Sequence, residues 1–253
     1  MNLFISIINH GHDKLITTNS RLVSLAQKFK VIIKSNTLAS EELSSFCLEN
    51  DITLIQGKKS QGFGANNNDV FSYVKLNFKP KKEDYFLVLN PDVEIDVDSL
   101  CKLIELAKKY SADISAINLF TDHSLMTYDN SIRRYPKLLT PLKSALGINR
   151  NDIYNKSKIK QPVRIEWAAG SFLLFRIASF EKLDGFDEKY FMYFEDVDIC
   201  TRANNIGLTI YYFPNIKGIH YASHKNRKLY SKHFIWYIES SFKYQLKYLF
   251  RKT

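Results

Sequence analysis

The chain has 253 residues, of which 45% are hydrophobic and 14% aromatic, with few Gly and Pro. This composition excludes disordered, collagen-like and low-complexity classes and predicts a globular protein with a sizeable core. The formal net charge of +10 indicates an anionic partner, which could be a phosphorylated substrate, nucleic acid or an acidic membrane surface.

The cysteine residues and the hydropathy of the chain indicate its redox compartment and its relation to the membrane. Cys47, Cys101 and Cys200 lie far apart without CxxC spacing, which favours a reducing cytosol over a disulfide framework or a zinc site. The N-terminus, MNLFISIINHGHDK, has only a short apolar run and no basic leader, so a first strand is favoured over a signal peptide. No segment has the roughly 18 uninterrupted apolar residues that span a bilayer, and any membrane contact is expected to be peripheral.

The first half of the chain alternates short apolar runs with helical patterns. Buried parallel strands are predicted for Leu3–Ile8, Lys30–Ser35, Ile52–Gln56 and Tyr85–Asn90. Helices are predicted near Lys14–Lys28, Ser40–Asn50, Asn67–Phe78 and Asp98–Tyr110. This βαβ alternation predicts a doubly wound sheet with ligands at the C-terminal ends of its strands.

The second half is less regular. The segments ADISAINLF and WAAGSFLLF predict strands on either side of a polar, basic stretch over residues 122–161. A helix is predicted from Glu195 to Ile206, ended by Gly207, and the following strand LTIYYF is predicted to end at Pro214.

The turn LNPDVEI carries two carboxylates at the end of a predicted strand. Asp92 and Glu94 are one residue apart and would point the same way in extended chain, which suits chelation of a hard divalent cation carrying a diphosphate. Alternatively, these acids only favour the positive end of the helix that follows.

The segment QGFGANNN places two glycines and three amides between a strand and a helix. Close backbone approach and free N–H groups at a helix start favour a phosphate or a nucleotide there. Alternatively, the segment is an ordinary glycine-containing loop with an asparagine cap.

Three acids begin the helix after the aromatic run YFMYF. Glu195, Asp196 and Asp198 could each favour the helix N-terminus. A carboxylate against aromatic rings in a cleft also tends to have a raised pKa, as a general base needs. The residues alone leave both interpretations open.

Two further pairs could contact ligands. His220 and His224 lack a second ligand at zinc spacing, although one imidazole could complete a metal site if the chain returns to Asp92. Arg133 and Arg134 offer planar donors for a phosphate, or form a solvated loop pair.

Taken in order, GFGANNN, LNPDVEI, WAAGSFLLFR, LDGFDEKYFMYFEDVDICTRANNIG, YYFP and GIHYASH resemble the family 2 inverting glycosyltransferases. The likeness is strongest to bacterial O-antigen rhamnosyltransferases that extend a lipid-linked sugar, and it extends from Ile5 to Phe250. It implies an α/β GT-A fold in a single domain, 1–253. Its expected parts are a nucleotide-sugar-binding half at 1–120, an acceptor and catalytic half at 121–216, and a basic membrane-associating segment with amphipathic helices at 217–253.

The resemblance also implies roles for the acids. Asp196 maps onto the general base, and Glu195 and Asp198 would orient it or contact acceptor hydroxyls. Asp92 maps onto the element that holds Mg²⁺ or Mn²⁺, with Glu94 as a weaker second member and His220 completing the metal site.

The same resemblance implies the binding sets. The nucleotide base would lie near Ser6, Asn9 and Asn36, and Ser35 stands where many relatives carry an aspartate that reads the pyrimidine N3–H. The rest of the donor set is Gly62, Phe63, Gly64, Asn67, Asn68, Asn90 and Asp92. The acceptor set is Trp167, Gly170, Arg133 and Arg134.

The implied reaction is a single in-line displacement that transfers L-rhamnose from dTDP-β-L-rhamnose to a polyprenyl-diphosphate-linked GlcNAc in cell-surface polysaccharide synthesis. One alternative is a UDP-hexose donor, with galactose or N-acetylglucosamine, and a similar acceptor. A basic nucleic-acid-binding protein is the rival from another class. Since that rival leaves Asp92 and the acidic cluster without a role, no nucleic-acid partner is expected.

The C-terminal segment NRKLYSKHFIWYIESSFKYQLKYLFRKT mixes cations with aromatic and aliphatic residues at helical intervals. Interfacial helices have this pattern, although the aromatics could instead cover the core. The membrane interpretation predicts a cytoplasmic protein that binds the anionic inner face of the bacterial inner membrane.

Overall fold

The computed structural model describes residues 1–136, 152–221 and 232–249. The strands in this part of the chain are β1 (Leu3–Asn9), β2 (Lys30–Ser35), β3 (Thr53–Gln56), β4 (Tyr85–Leu89), β5 (Val93–Glu94), β6 (Ile114–Phe120), β7 (Ile132–Arg133), β8 (Val163–Arg164), β9 (Trp167–Ala168), β10 (Phe172–Arg176) and β11 (Ile210–His220). The α-helices are α1 (Asp13–Thr17), α2 (Ser20–Lys28), α3 (Glu41–Glu49), α4 (Phe63–Phe78), α5 (Val97–Lys109), α6 (Ile177–Lys182), α7 (Glu195–Asn205) and α8 (Lys232–Leu249). A 3-10 turn covers Lys156–Lys158.

The main sheet is mixed, in the order β3-β2-β1-β4-β10-β6-β11-β5, with β8 on β11. The four strands from β3 to β4 are parallel, as the alternation of strands and helices predicts. β10 then inserts antiparallel between β4 and β6, and β11 runs parallel to β6. The sheet therefore joins the predicted nucleotide half to the predicted catalytic half.

Two hydrophobic clusters cover the two faces of this sheet. One contains Phe4, Phe71 and Phe180, and the other contains Ile5 and Leu103. Because neighbouring strand residues such as Phe4 and Ile5 point to opposite faces, a strand buried on both sides is apolar throughout. The continuous runs in the sequence reflect this double burial.

The predicted strands of the first half are confirmed, and the helices differ at their ends. The first predicted helix is divided into α1 and α2, because the side chain of Asn19 accepts the backbone N–H groups of Arg21 and Leu22 and caps α2. α4 begins at Phe63, ahead of its predicted start at Asn67, with Gly62 as its N-cap.

The predicted end of β11 at Pro214 is wrong. The strand continues to His220 through a register shift, in which Phe213 pairs with Ile117 and Lys217 pairs with Asn118. The Asn118 side chain donates to the Pro214 carbonyl oxygen at 3.3 Å. This bulge carries the strand past a proline that has no N–H to donate.

Helix α8 packs across the loop that precedes α7. Its residues Tyr237 and Tyr244 lie against the ring of Phe194, with centroid separations of 5.5 Å in both cases. None of the helices within 1–136, 152–221 and 232–249 combines the length and apolarity needed to cross a membrane. The prediction of several basic C-terminal helices is not confirmed. Among the described residues after β11, α8 is the one helix, and residues 222–231 and 250–253 lie outside the described part of the chain.

Candidate active site

The turn after β4 meets the end of β11. The backbone N–H of Tyr221 donates to the carbonyl oxygen of Asp92 at 3.0 Å, and His220 pairs with Val93 across the two strands. This pairing leaves His220 Nε2 3.4 Å from Asp92 Oδ1. The return of the chain to Asp92, which the sequence left open, is thus made by β11.

Asp129 orients the imidazole from its other side. Asp129 Oδ2 lies 2.8 Å from His220 Nδ1, and a carboxylate bound to one ring nitrogen directs the other toward a ligand. Burial lowers the pKa of His220, but the hydrogen bonds to Asp129 and Asp92 outweigh it and raise that pKa to about 9. Without a metal, the ring therefore holds a proton that a bound cation would have to displace.

The three-residue metal set predicted from the sequence is not assembled. In the described portion, no group of three or more His, Cys, Asp or Glu side chains is arranged to hold a metal. Glu94 Oε2 instead lies 3.7 Å from Arg21 Nε and 3.5 Å from His123 Nε2. The attraction of Arg21 keeps this carboxylate beside α2.

Asp92 and His220 nevertheless fit a divalent ion bound mainly by its substrate. Two protein atoms 3.4 Å apart have a spacing that one ion could bridge. Mg²⁺ in particular is usually held by one or two carboxylates, with water and phosphate oxygens completing its shell. His224, the other histidine considered above, lies outside the described residues.

Asp196 is held at the start of α7 by backbone donors. Its Oδ2 accepts from the N–H of Gly170 at 3.0 Å, and its Oδ1 accepts from the N–H of Val197 at 2.8 Å. Burial raises the pKa of Asp196, while these two N–H groups and the charge of Arg133 lower it, and the net shift is upward. The residue is half-buried, so this carboxylate of raised pKa is not sealed in the core.

A two-residue turn ties this carboxylate to the Asp92 side. The N–H of Gly170 binds Asp196, and the carbonyl oxygen of Ser171 accepts from the N–H of Asn90 at 2.9 Å. A Cβ on Gly170 would lie 3.1 Å from the ring of Phe63, so a side chain there would press on the start of α4. Asp196 and the turn that carries Asp92 are therefore joined through the two adjacent residues Gly170 and Ser171.

The residues directly before α7 have unusual backbone angles. Tyr193 and Phe194 have φ of 68° and 67°, the left-handed region that large side chains avoid. Each such residue costs on the order of 1–3 kcal/mol and persists only where its surroundings fix it. The strain is concentrated one residue before the Glu195–Asp196 pair.

Glu195 and Asp198 differ from their predicted roles. Glu195 is 6% exposed, and its Oε2 has no hydrogen-bond partner within the described part of the chain. Burial, and then the charge of Asp196, raise the pKa of Glu195 well above its usual range, which favours the protonated carboxyl. Asp198 is fully buried, so its predicted contact with acceptor hydroxyls is wrong. At 100° per residue, Asp196 and Asp198 lie on opposite sides of the helix.

The predicted arginine pair divides between two sides of β7. Arg133 stacks on the ring of Trp167 with its Cζ 5.5 Å from the centroid, and its charge lowers the pKa of both Asp129 and Asp196. Arg133 is therefore near both carboxylates. Arg134 instead stacks on Tyr154 at 5.2 Å. Alternation along an extended chain accounts for the division.

Trp167 is 6% exposed and donates from Nε1 to the carbonyl oxygen of Arg134 at 2.8 Å. Its predicted contact with an acceptor is therefore wrong for this conformation. The indole instead forms the platform on which the Arg133 guanidinium lies.

The polar residues at the ends of β1 and β2 bind one another. Asn9 Nδ2 donates to the Ser35 hydroxyl at 2.8 Å, and that hydroxyl donates to the carbonyl oxygen of Thr37 at 2.8 Å. Asn9 and Ser35 are fully buried, so the expectation that Ser35 accepts a hydrogen bond from a base N3–H is wrong for this conformation. Asn36 is occupied as well, since its amide binds both the N–H and the carbonyl of Gln61.

The QGFGANNN segment is similarly engaged. The Ser6 hydroxyl donates to Asn67 Oδ1 at 2.7 Å, with both residues fully buried. Asn68 turns away to bind the backbone N–H and carbonyl of Phe186.

Gly62 and Gly64 allow α4 to pack closely against the segment before α7. A Cβ on Gly62 would overlap the carbonyl oxygen of Phe191, and one on Gly64 would lie 2.8 Å from the Phe186 Cβ. The N–H of Phe63 binds the Phe191 oxygen at 3.0 Å. These residues, predicted to contact the donor, thus fix the start of α4 against the segment before α7.

The sequence interpretation missed Asp129, Arg202 and Lys247. Asp129 lies in a polar loop with no motif, and its role depends on the return of β11. Arg202 is four residues after Asp198, so helical spacing could have indicated this pair. Lys247 is 49 residues from Asp198, and no local pattern could have connected them.

Comparison with known proteins places these features in context. No protein-family profile matches the chain. It is 36% identical over 245 residues to the rhamnosyltransferase WbbL of Escherichia coli K12, covering 96% of this chain and 92% of that protein. It is 31% identical over 153 residues to the N-acetylglucosaminyl-diphospho-decaprenol L-rhamnosyltransferase of Mycobacterium tuberculosis, covering 58% of this chain and 50% of that protein.

Solved structures share the fold at low identity. TarS 1–349 of Staphylococcus aureus, in complex with UDP-GlcNAc, superposes with a TM-score of 0.59 and 14% identity over 93% of this chain and 61% of that one. GalNAc-T7, crystallised with UDP, GalNAc and Mn²⁺, gives 0.58 and 14% over 87% and 43%. These likenesses confirm the predicted α/β fold of the GT-A type.

Proposed function

Because the chain belongs to the family of bacterial rhamnosyltransferases, we propose that it transfers L-rhamnose from a nucleotide-diphosphate donor to a polyprenyl-diphosphate-linked GlcNAc. The mycobacterial relative is named for this acceptor type. The observation that carries the proposal is the pair of hydrogen bonds through which Gly170 and Ser171 join the Asp196 carboxylate to the turn bearing Asp92.

The proposed reaction is an inverting displacement. An acceptor hydroxyl oxygen forms a bond to the anomeric carbon as the bond from that carbon to the diphosphate oxygen breaks. Asp196 takes the hydroxyl proton, and the nucleoside diphosphate leaves with the bonding electron pair. The N–H groups of Gly170 and Val197 aim the carboxylate.

A divalent metal ion and the Arg133 guanidinium would stabilise the departing diphosphate. Asp92 and His220 would hold Mg²⁺ or Mn²⁺, which supplies Lewis-acid stabilisation of the departing diphosphate when bound. Arg133, near Asp129 and Asp196 on its indole platform, adds a fixed positive charge where anionic groups meet.

The donor proposed first is dTDP-β-L-rhamnose, and a UDP-hexose is the alternative. The buried, internally bonded Ser35 and Asn9 favour neither base, since neither side chain is available to read one. A donor panel therefore decides between them.

We also propose that the protein works at the inner face of the inner membrane, where a polyprenyl acceptor resides. Supporting this, α8 exposes four apolar side chains: Ile235 at 59%, Ile238 at 41%, Phe242 at 63% and Leu246 at 43%. Their spacing of three or four residues puts them on one side of the helix, and we call them the α8 outer stripe. Lys and Arg residues of the chain would favour anionic lipid.

The test is nucleotide release by purified protein with Mg²⁺ or Mn²⁺, offering dTDP-β-L-rhamnose or UDP-hexoses with and without a GlcNAc-diphospholipid. Acceptor-dependent release of dTDP is expected. Release of UDP alone would discard the rhamnose donor, and no release from any pair would discard the acceptor class.

Asp196→Asn tests the base. Loss of the proton acceptor should lower kcat by about 10²–10⁴-fold, while donor affinity measured by calorimetry stays unchanged. In the unsubstituted enzyme, kcat should rise with pH through a pKa above the ordinary aspartate value of 3.8, because the carboxylate must be ionised to act. An active Asp196→Asn enzyme would move the base elsewhere.

A further inference from the structure

The inner side of α8 covers residues 191–194, which lead into α7. We call them the strained segment, because Tyr193 and Phe194 have left-handed backbone angles. The ring of Phe191 lies 4.8 Å from that of Trp236, and the Tyr193 hydroxyl lies 3.2 Å from His233 Nδ1. The Ser240 hydroxyl donates to the carbonyl oxygen of Met192 at 2.9 Å. These contacts bind three residues of the segment to α8 over about two helical turns, from His233 to Ser240.

Buried charges join the same helix to α7. The carboxylate of Asp198 is fully buried and accepts from Arg202 Nε at 2.7 Å, Lys247 Nζ at 2.6 Å and the Tyr248 hydroxyl at 2.7 Å. Lys247 also donates to Asp187 at 2.8 Å. Two carboxylates thus face two cations, of which α8 supplies one, so loss of Lys247 would leave a buried negative charge short of its partner.

The geometry connects these contacts to Asp196. Phe194 is the N-cap of α7 and has left-handed backbone angles. Such a conformation in a large residue persists only where surrounding contacts fix it. Its ring is held by Tyr237 and Tyr244 of α8. A rotation at Phe194 would carry the start of α7, and with it Asp196, away from the Gly170 N–H.

We propose that Lys247 and Ser240 are positioning residues for Asp196, so that the C-terminal helix is part of the catalytic site. The inference rests on the proposed function, in which Asp196 is the base. Lys247 fixes the end of α8 against α7, and Ser240 fixes the middle of α8 against the strained segment.

The main test compares Lys247→Met, Lys247→Arg and Glu239→Gln in the full-length protein by steady-state kinetics. Lys247→Met should lower kcat by about tenfold or more, as small misplacements of a catalytic group do, with KM for the nucleotide sugar unchanged. Lys247→Arg should restore most of kcat. Glu239→Gln removes an exposed ion pair within α8 and is the matched control, expected to leave both constants unchanged.

Ser240→Ala is an independent test, because this substitution leaves no buried charge unpaired. If Lys247→Met does not fold, Ser240→Ala decides whether α8 positions Asp196. It should also lower kcat at constant KM. If folded variants keep the normal kcat well below their unfolding temperature and lose only Tm, the contacts are merely structural and the inference is overturned.

Asp196→Asn, assayed beside these variants, separates a failure of the positioning role from a failure of the assignment of Asp196 as the base. If Asp196→Asn is inactive and Ser240→Ala is normal, the positioning role fails alone. If Asp196→Asn is active, the assignment of the base fails, and the proposed mechanism with it.

Discussion

At the scale of single residues, Glu195 has the most unusual environment of the acidic cluster. Its carboxyl is 6% exposed beside the start of α4, with Oε2 unpartnered among the described residues. The folded protein keeps a proton on this group at a pH where the unfolded chain has released it, because the pKa is raised above its ordinary value of 4.5. Stability from this group is therefore full below that value and declines as pH rises above it.

Glu195→Gln should remove this penalty. The amide has the shape of the protonated carboxyl and cannot ionise, so the variant should have a higher Tm than the unsubstituted protein in alkaline buffer and an equal Tm near the ordinary pKa of 4.5. Thermal unfolding across pH measures the effect. Glu49→Gln, at an exposed residue on α3, controls for loss of charge, and parallel Tm profiles of Glu195→Gln and the unsubstituted protein would contradict the prediction.

Asp92 and Glu94 differ in surroundings, and a matched pair of variants can separate them. Asp92→Asn removes the carboxylate beside His220 and should weaken Mn²⁺ binding by at least about tenfold, a loss seen even for residues one step removed from a metal. Glu94→Gln should change it little, because that side chain lies beside Arg21 and His123. Calorimetric titration with Mn²⁺ in the presence of the nucleoside diphosphate compares them, and equal losses would return Glu94 to the metal site.

At the scale of elements, α8 has two sides with different partners. Its inner side binds the strained segment and α7, and the α8 outer stripe is exposed. Because apolar residues lie on both sides of α8, among lysines and other polar residues, periodicity alone left core packing and membrane binding as alternatives.

The double variant Ile238→Ser/Phe242→Ser tests the outer stripe. Full burial of one such side chain is worth about 2 kcal/mol, so the double change should weaken binding to anionic vesicles by about tenfold or more. Co-sedimentation with vesicles measures it. Leu48→Ser, at a leucine 85% exposed on α3, is the control, and a double variant that sediments normally would place membrane contact elsewhere.

At the scale of the whole molecule, the net charge of +10 adds a long-range term to any contact with anionic lipid. Exposed charges separated by more than about 10 Å are screened at 0.1 M salt. Binding to anionic vesicles should therefore fall as salt rises, while residual binding reflects the apolar stripe. Sedimentation that is indifferent both to salt and to the anionic lipid fraction would remove the electrostatic part of the proposal.

The sequence predicted the parallel half of the sheet because its central strands β1 and β4 are buried on both faces and are almost entirely apolar, and because helical patterns alternate with the strands. It also singled out Asp92 and Asp196 through the motifs that carry the family resemblance, and their roles stay predictions. It could not assign directions to side chains whose partners are distant. Asp198, Ser35 and Trp167 are of the right type for binding, yet each is fully engaged by residues from other elements.

The bulge in β11 has a consequence for changes in chain length. Ile210 and Tyr212 pack in one core cluster before it, and Ile216 packs in the opposite cluster after it, so the inserted residues exchange the faces of even and odd positions. A one-residue insertion or deletion between Phe213 and Lys217 would reverse the exchange and turn His220 from Asp92 to the other side of the sheet. Insertions or deletions of two residues should therefore be tolerated better than those of one residue. This dependence on even or odd length would distinguish the bulge from an ordinary surface loop.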